Sequence, residues 1–210
     1  MLITQIKKVD DLLNTPEKRV VLITCLGCYE AFFPLKEVEE LKKILTTKKD
    51  VVADVVTDYL CNPDYCEPNL AKHTKQIADA EAVIIFSCGV GVQTFSVCKG
   101  ADKVVYTGCD TLYVPGFQGI TAMEHDCDQC GDCMLNKTFS ICPITACSKG
   151  LLNGQCGGTK NGKCEVDKDM PCGWELIYRR AEKMGKSKEL KNIVNIRDYS
   201  KMIVEPEKKG

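Results

Sequence analysis

The sequence has no excess of charge of either sign: 28 Lys and Arg stand against 29 Asp and Glu, a net charge of −1. That balance provides neither the basic surface that nucleic acid requires nor an acidic tail. No apolar run is long enough to cross a bilayer. The opening residues, Met1-Leu2-Ile3-Thr4-Gln5-Ile6-Lys7-Lys8, contain no uninterrupted apolar segment of signal-peptide length. The expectation is a cytoplasmic chain with no nucleic-acid and no membrane partner. Catalytic signatures are also missing: no P-loop, no H-E-x-x-H, no G-x-S-x-G, no C-x3-C-x2-C radical motif and no Cys-Cys-Gly segment. Histidine is scarce at two residues. His73 lies among lysines in a predicted helix, and His125 stands two residues before Cys127, where it is not expected to be a ligand. Glu37, Glu39 and Glu40 fall on a predicted amphipathic helix and read as solvated. No acid–base or nucleophilic catalysis by this chain alone is expected.

Cysteine is abundant instead, with 15 in 210 residues. A disulfide framework is disfavoured by the odd count, by the lack of an export signal, and by a hydrophobic fraction of 44% that suffices for an ordinary core. The remaining uses for clustered thiols are metal ligation and redox chemistry.

Four apolar runs rich in β-branched residues, Val20–Ile23, Val51–Val56, Ala82–Phe86 and Val104–Tyr106, suit strands buried on both faces of a parallel sheet. Between the first two, residues 34–47 carry Val38, Leu41, Ile44 and Leu45 on one helical stripe, with Pro34 in the first turn. Residues 69–81 form a weaker stripe behind an Asn69 cap. The strand starts lie about 30 residues apart, the size of a βαβ unit. The fold expected is an open, doubly wound (Rossmann-like) α/β sheet over residues 1–115. A small cysteine-rich domain organised by bound metal follows over 116–185. It ends in a helix whose stripe is Trp174, Ile177, Tyr178, Ala181 and Met184, stopped by Gly185. Residues 186–210 read as a short helix and a tail. Both this helix and the tail are expected to help dock a partner.

Cys127-Asp-Gln-Cys130-Gly-Asp-Cys133 is a C-x2-C-x2-C run, and Cys142-Pro143 follows. The run resembles the ligand loop of bacterial ferredoxins around a [4Fe–4S] cube, with a longer gap before Cys-Pro, and tetrahedral zinc held by its two C-x2-C pairs is the rival reading. Gly131 permits the close backbone approach that such a loop needs. Four more thiols follow at Cys147, Cys156, Cys164 and Cys172, enough for a second cube or a zinc site. Spacing leaves open whether Cys142 and Cys147 trade places. Lys149 and Lys163, near ligands in sequence, would raise a cluster's potential.

These residues resemble a known family. Cys142-Pro143-Ile-Thr-Ala-Cys147-Ser-Lys149-Gly-Leu151-Leu-Asn153-Gly154-Gln-Cys156-Gly157-Gly158, Gly162-Lys163-Cys164-Glu165-Val166 and Pro171-Cys172-Gly-Trp174 look like the signature of the MetV family, the small iron–sulfur subunit of two-subunit methylenetetrahydrofolate reductases. Gln155 stands where many members carry proline. The resemblance is looser over residues 20–110, where it rests on Cys25-Leu-Gly27-Cys28 and Cys88-Gly89-Val-Gly91-Val-Gln93. It implies two [4Fe–4S] clusters, a MetF-type flavoprotein partner that alone holds the FMN or FAD, and membership of larger electron-donating or bifurcating complexes in some organisms. The implied role is an electron-transfer subunit without catalysis of its own. The rival from another class is a zinc-stapled adaptor that stabilises the flavoprotein. A third reading, a thiol-redox enzyme, rests on Cys25 and Cys28 alone.

Seven cysteines remain in the α/β half. Cys25 and Cys28 follow the first predicted strand, Cys61 and Cys66 the second, Cys88 the third and Cys109 the fourth. Strand C-termini of a parallel sheet share one edge, so these loops converge. Cys25, Cys28, Cys61 and Cys88 are the preferred four for a third cluster or a zinc. Cys98, on a predicted helix, reads as structural. The loop after Cys88 only partly mimics a phosphate-binding G-x-G-x-x-G, since Thr94 replaces the third glycine.

Overall fold

The computed structural model describes residues 2–28, 31–98, 102–112, 127–192, 194–198 and 200. In chain order the elements are β1 (Leu2–Ile6), α1 (Val9–Leu13), β2 (Arg19–Leu26), β3 (Ala31–Phe32), α2 (Leu35–Lys48), β4 (Asp50–Asp58), α3 (Pro63–Lys72), α4 (Thr74–Asp79), β5 (Ala82–Phe86), α5 (Gly89–Val97), β6 (Val104–Thr107), β7 (Cys109–Leu112), α6 (Pro143–Ala146) and α7 (Gly173–Lys183), with a 3-10 turn over Ser187–Asn192. The four apolar runs form one wholly parallel sheet in the order β4-β2-β5-β6.

Alternation within those runs explains why they are continuously apolar. Val21, Ile23, Val83, Ile85 and Val105 face a core shared with Cys66, Leu70 and Ile77 of α3 and α4 and with Val92 and Phe95 of α5. Val20, Leu22, Ile84, Phe86 and Tyr106 face the opposite core, filled by Leu12 of α1 and by Val38, Leu41 and Leu45 of α2. Helices on both faces make this a doubly wound α/β sheet, followed by the cysteine-rich region and helix α7. The chain turns outward in opposite directions from β2 and β5, so the switch point lies between their C-terminal ends.

Three local expectations differ. A second small sheet, order β3-β1-β7, packs β1 parallel to β3 and antiparallel to β7. The helix expected to start at Asn69 starts at Pro63, because Asn62 accepts the Asp64 N–H at 3.0 Å and proline occupies the first helical position. Asn69 sits mid-helix and donates to Thr57 Oγ1 at 2.8 Å, and the helix breaks at His73 before α4. On α7 the stripe Trp174, Ile177 and Ala181 is buried within the chain itself, and Tyr178 is exposed. The face expected to dock a partner is therefore already covered.

The last described residues are tied down rather than loose. Asn195 exchanges hydrogen bonds with Asn153, Asn195 N–H to Oδ1 at 2.6 Å and Asn153 Nδ2 to Asn195 O at 3.0 Å. Arg197 forms an ion pair with Asp128. The expected tail from residue 201 onward lies outside the described residues. Among the described residues no helix is long and apolar enough to cross a membrane.

Candidate metal centres

The C-terminal edge of the sheet gathers thiols as the α/β topology predicts. Cys25 ends β2 and Cys28 lies in the loop after it, Cys61 follows β4, and Cys88 caps the N-terminus of α5. All four line one cavity of about 70 Å³ at the switch point, together with Gly27, Tyr59 and Ser87. Burial pushes the Cys25 thiol up to about 11. Burial, followed by the charges of Cys88, Cys25 and Cys28, pushes Cys61 up to about 12. Thiols that disfavour each other's ionisation this way need a cation to become ligands, and a metal supplies it. The main-chain N–H groups of Gly91 and Val90, in the first turn of α5, point at Cys88 Sγ. That turn therefore serves a thiol, which accounts for Gly89 and Gly91 without a phosphate. The competing thiols go elsewhere: Cys66 and Cys98 are buried in one core and Cys109 in the other.

The second group is built on the same edge. Cys127, Cys130, Cys133 and Cys142 line one small cavity with Gly89, Gln93 and Thr111. The backbone of the residue two on, Gln129, Asp132 and Leu135, opposes the effect of burial on each of the first three thiols, and the Cys130 thiol donates to the Asp132 carbonyl at 3.5 Å. This repeated closeness of sulfur to the backbone two residues on suits a thiolate ligand loop, in which amide dipoles offset sulfur's negative charge. Gly131, at φ +73°, gives the run its reversal. Burial raises Cys127 and Cys130 and pushes Cys133 up to about 12.

Polar side chains of the α/β half hold this loop. Asp110 Oδ1 accepts the Cys133 N–H at 2.9 Å, and Lys7 Nζ donates to Asp110 at 2.7 Å and to the Cys133 carbonyl at 3.3 Å. Gln93 bridges the sites, its Oε1 accepting from Cys142 N–H at 3.1 Å and its Nε2 donating to Gly89 O at 3.2 Å. The Gly89 N–H donates to Thr111 Oγ1 at 3.0 Å, and a Cβ on Gly89 would lie 3.1 Å from Cys127 Sγ. One peptide, Cys88-Gly89, therefore separates the two thiol cavities. The anchoring roles of Lys7, Gln93, Asp110 and Thr111 escaped the sequence reading, although Gln93 stands in the segment after Cys88 on which the resemblance partly rests. Their one signal was polarity inside apolar elements, an amide within α5 and a carboxylate within β7.

The last four thiols lie in a shallow lobe. Cys147 follows α6 and Cys172 caps α7, and these ends abut, since a Cβ on Gly173 would lie 2.5 Å from Ala146 O. Thr159 Oγ1 donates to Cys172 Sγ at 3.1 Å. The Gly158 N–H reaches Cys156 Sγ at 3.5 Å, and Gly158 packs against Glu165, the neighbour of Cys164. Lys149 is ion-paired with Glu165, which reduces the positive charge it brings to this group. Hydrogen bonding with the Val166 backbone and with Ser148 Oγ, 3.7 Å away, holds Cys164 below the ordinary thiol value. Among the described residues no three Cys, His, Asp or Glu side chains converge on one point as a single metal ion's ligands would. His125 lies outside the described residues.

Two of the three sets bring four thiols to one cavity, a donor chemistry that fits iron–sulfur ligation; the Cys147–Cys172 set shares no such cavity among the described residues. Residues 106–200 match the family described as methylene-tetrahydrofolate reductase C terminal. The match takes in the end of β6, all of β7, Cys127 to Cys172 and α7, and leaves the Cys25–Cys88 cavity outside it. No curated protein and no solved structure matches the chain.

Proposed function

We propose that this protein is the iron–sulfur electron-transfer subunit of a cytoplasmic methylenetetrahydrofolate reductase, working beside a MetF-type flavoprotein in one-carbon metabolism. The observation that carries the proposal is the ferredoxin-spaced loop. Cys127, Cys130 and Cys133, each beside the backbone two residues on, share a cavity with Cys142, inside the segment that the family match covers.

On this reading Cys127, Cys130, Cys133 and Cys142 hold one [4Fe–4S] cluster and Cys147, Cys156, Cys164 and Cys172 a second. Cys25, Cys28, Cys61 and Cys88 hold a third cluster or a zinc. Such clusters supply reversible one-electron chemistry at potentials set by burial, charge and hydrogen bonds to sulfur. The chain's own part is to bury the first set, aim amides at its sulfurs and anchor the loop through Asp110 and Gln93. The flavin, FMN or FAD, belongs to the partner, and larger electron-donating assemblies are further partners. The test is anaerobic: the dithionite-reduced chain, freed of excess reductant, is mixed with the oxidised flavoprotein and flavin bleaching is followed. Bleaching that Cys133→Ser abolishes supports the relay. A colourless zinc protein that binds the flavoprotein without bleaching it establishes the adaptor instead.

A further inference from the structure

Arg180 projects from α7 into a cleft of about 640 Å³ between α7 and α5. The cleft walls are mostly apolar, with Val97, Ile141, Ala146, Pro171 and Leu176 prominent among them. Arg180 Nη2 is buried and has no hydrogen-bond partner. Asp102, whose charge reaches the guanidinium, is itself ion-paired with Lys183. Arg180 as a whole is half-buried, but a guanidinium nitrogen withdrawn from water without an acceptor is costly, and an acidic partner at the cleft would satisfy it. The apolar walls continue onto the surface, where Val97 is 54% and Leu176 41% exposed. A small free anion has no use for that apolar rim, whereas a protein surface does.

We propose that this cleft docks a protein partner that inserts a carboxylate beside an apolar side chain, the carboxylate pairing with Arg180. The position gives the contact a purpose. Ile141, Ala146 and Pro171 each immediately precede a candidate ligand, Cys142, Cys147 and Cys172. A partner seated there touches the peptides of two thiol sets at once. The choice of probe rests on the relay reading above, which names a MetF-type flavoprotein as the partner.

The experiment measures the affinity of that flavoprotein for the iron-loaded full chain and for two variants, with iron content and melting temperature recorded for each. Arg180→Met is expected to weaken the complex at least about tenfold, since it removes one member of a desolvated charge pair. Melting of the free chain should be unchanged or raised, because an unpaired buried cation is lost. Val97→Asp, at the exposed rim, is expected to weaken the complex similarly by opposing the incoming carboxylate. Affinities within twofold of the unaltered chain for both variants overturn the docking surface alone. A clear fall in melting temperature with Arg180→Met overturns it too, since the guanidinium is then satisfied within the chain. No complex with the unaltered iron-loaded chain overturns both this surface and the flavoprotein reading.

Discussion

The α/β half and the lobe that follows it are held together by different forces. In β5 all five residues are buried, and two apolar cores sandwich the sheet. From residue 144 through residue 172 not one residue is buried. Burial of apolar area stabilises by roughly 25 cal/mol per Å² and is the main term opposing chain entropy. The lobe has almost none of it, yet its turns set the ends at Cys147 and Cys172 against each other and Gly158, two residues past Cys156, against Glu165, the neighbour of Cys164. On the proposed function, the free energy of metal binding becomes the free energy of folding in such a segment. The loop Cys127–Cys142 lies between these extremes. Leu135 joins a sheet core while the thiols beside it line a cavity, so burial fixes it and, on the proposed function, ligation does too.

The sharpest way to break this contrast is to remove the metal. Anaerobic treatment with an iron chelator should make residues 144–172 fully susceptible to limited proteolysis while the β4-β2-β5-β6 sheet stays protected. Equal resistance of both parts would show that the lobe folds without ligation. Cys164→Ser should discriminate within the lobe, lowering iron by about four per chain and leaving the Cys127–Cys142 set loaded. Loss from both sets would merge them into one cooperative unit. In the opposite direction, Leu22→Ala should cost about 3 kcal/mol in denaturant unfolding of the sheet with iron content unchanged.

How far this contrast was legible in the sequence follows from the same physics. The four strands of the main sheet, α2 and α7 could be read because burial on two faces leaves continuous or periodic apolar runs. The grouping of Cys25, Cys28, Cys61 and Cys88 around one cavity was readable from topology, since loops after parallel strands must share an edge. The β3-β1-β7 sheet was not: β7 is four residues long and carries Asp110, whose work is to hold Cys133. Nor was the allocation of Cys142, because spacing cannot show that Gln93, some 50 residues earlier, fixes its amide. Polar anchors leave no period, and only the folded contacts reveal them.

Two smaller effects refine the join between the halves. Lys7→Met leaves Asp110 buried and unpaired beside the Cys133 amide, at a cost of about 3 kcal/mol by analogy with other broken buried pairs. It should also lower the potential of the Cys127–Cys142 site, and Asp110→Asn should raise it. An unchanged redox titration in both would limit the pair to a structural role. The smallest effect concerns pH. Glu17 is pushed up by burial, but hydrogen bonds from Lys186 and from Tyr106 at 2.7 Å outweigh this and hold its carboxyl below the ordinary value. Its contribution is therefore complete above the ordinary carboxylate range and is lost as pH falls through the lowered value. Glu17→Gln should cost about 1.5 kcal/mol at neutral pH and flatten that part of the acid limb. A stability difference independent of pH would contradict it.

The central claim, that thiol-bound iron–sulfur clusters organise the cysteine-rich half, is tested most directly by counting. The chain is purified anaerobically, and iron, zinc and acid-labile sulfide are measured per polypeptide, with EPR spectra after dithionite reduction. About eight irons with matching sulfide and a reducible signal, or about twelve if the Cys25–Cys88 cavity is also occupied by a cluster, is the predicted result. Zinc without iron or sulfide would contradict it.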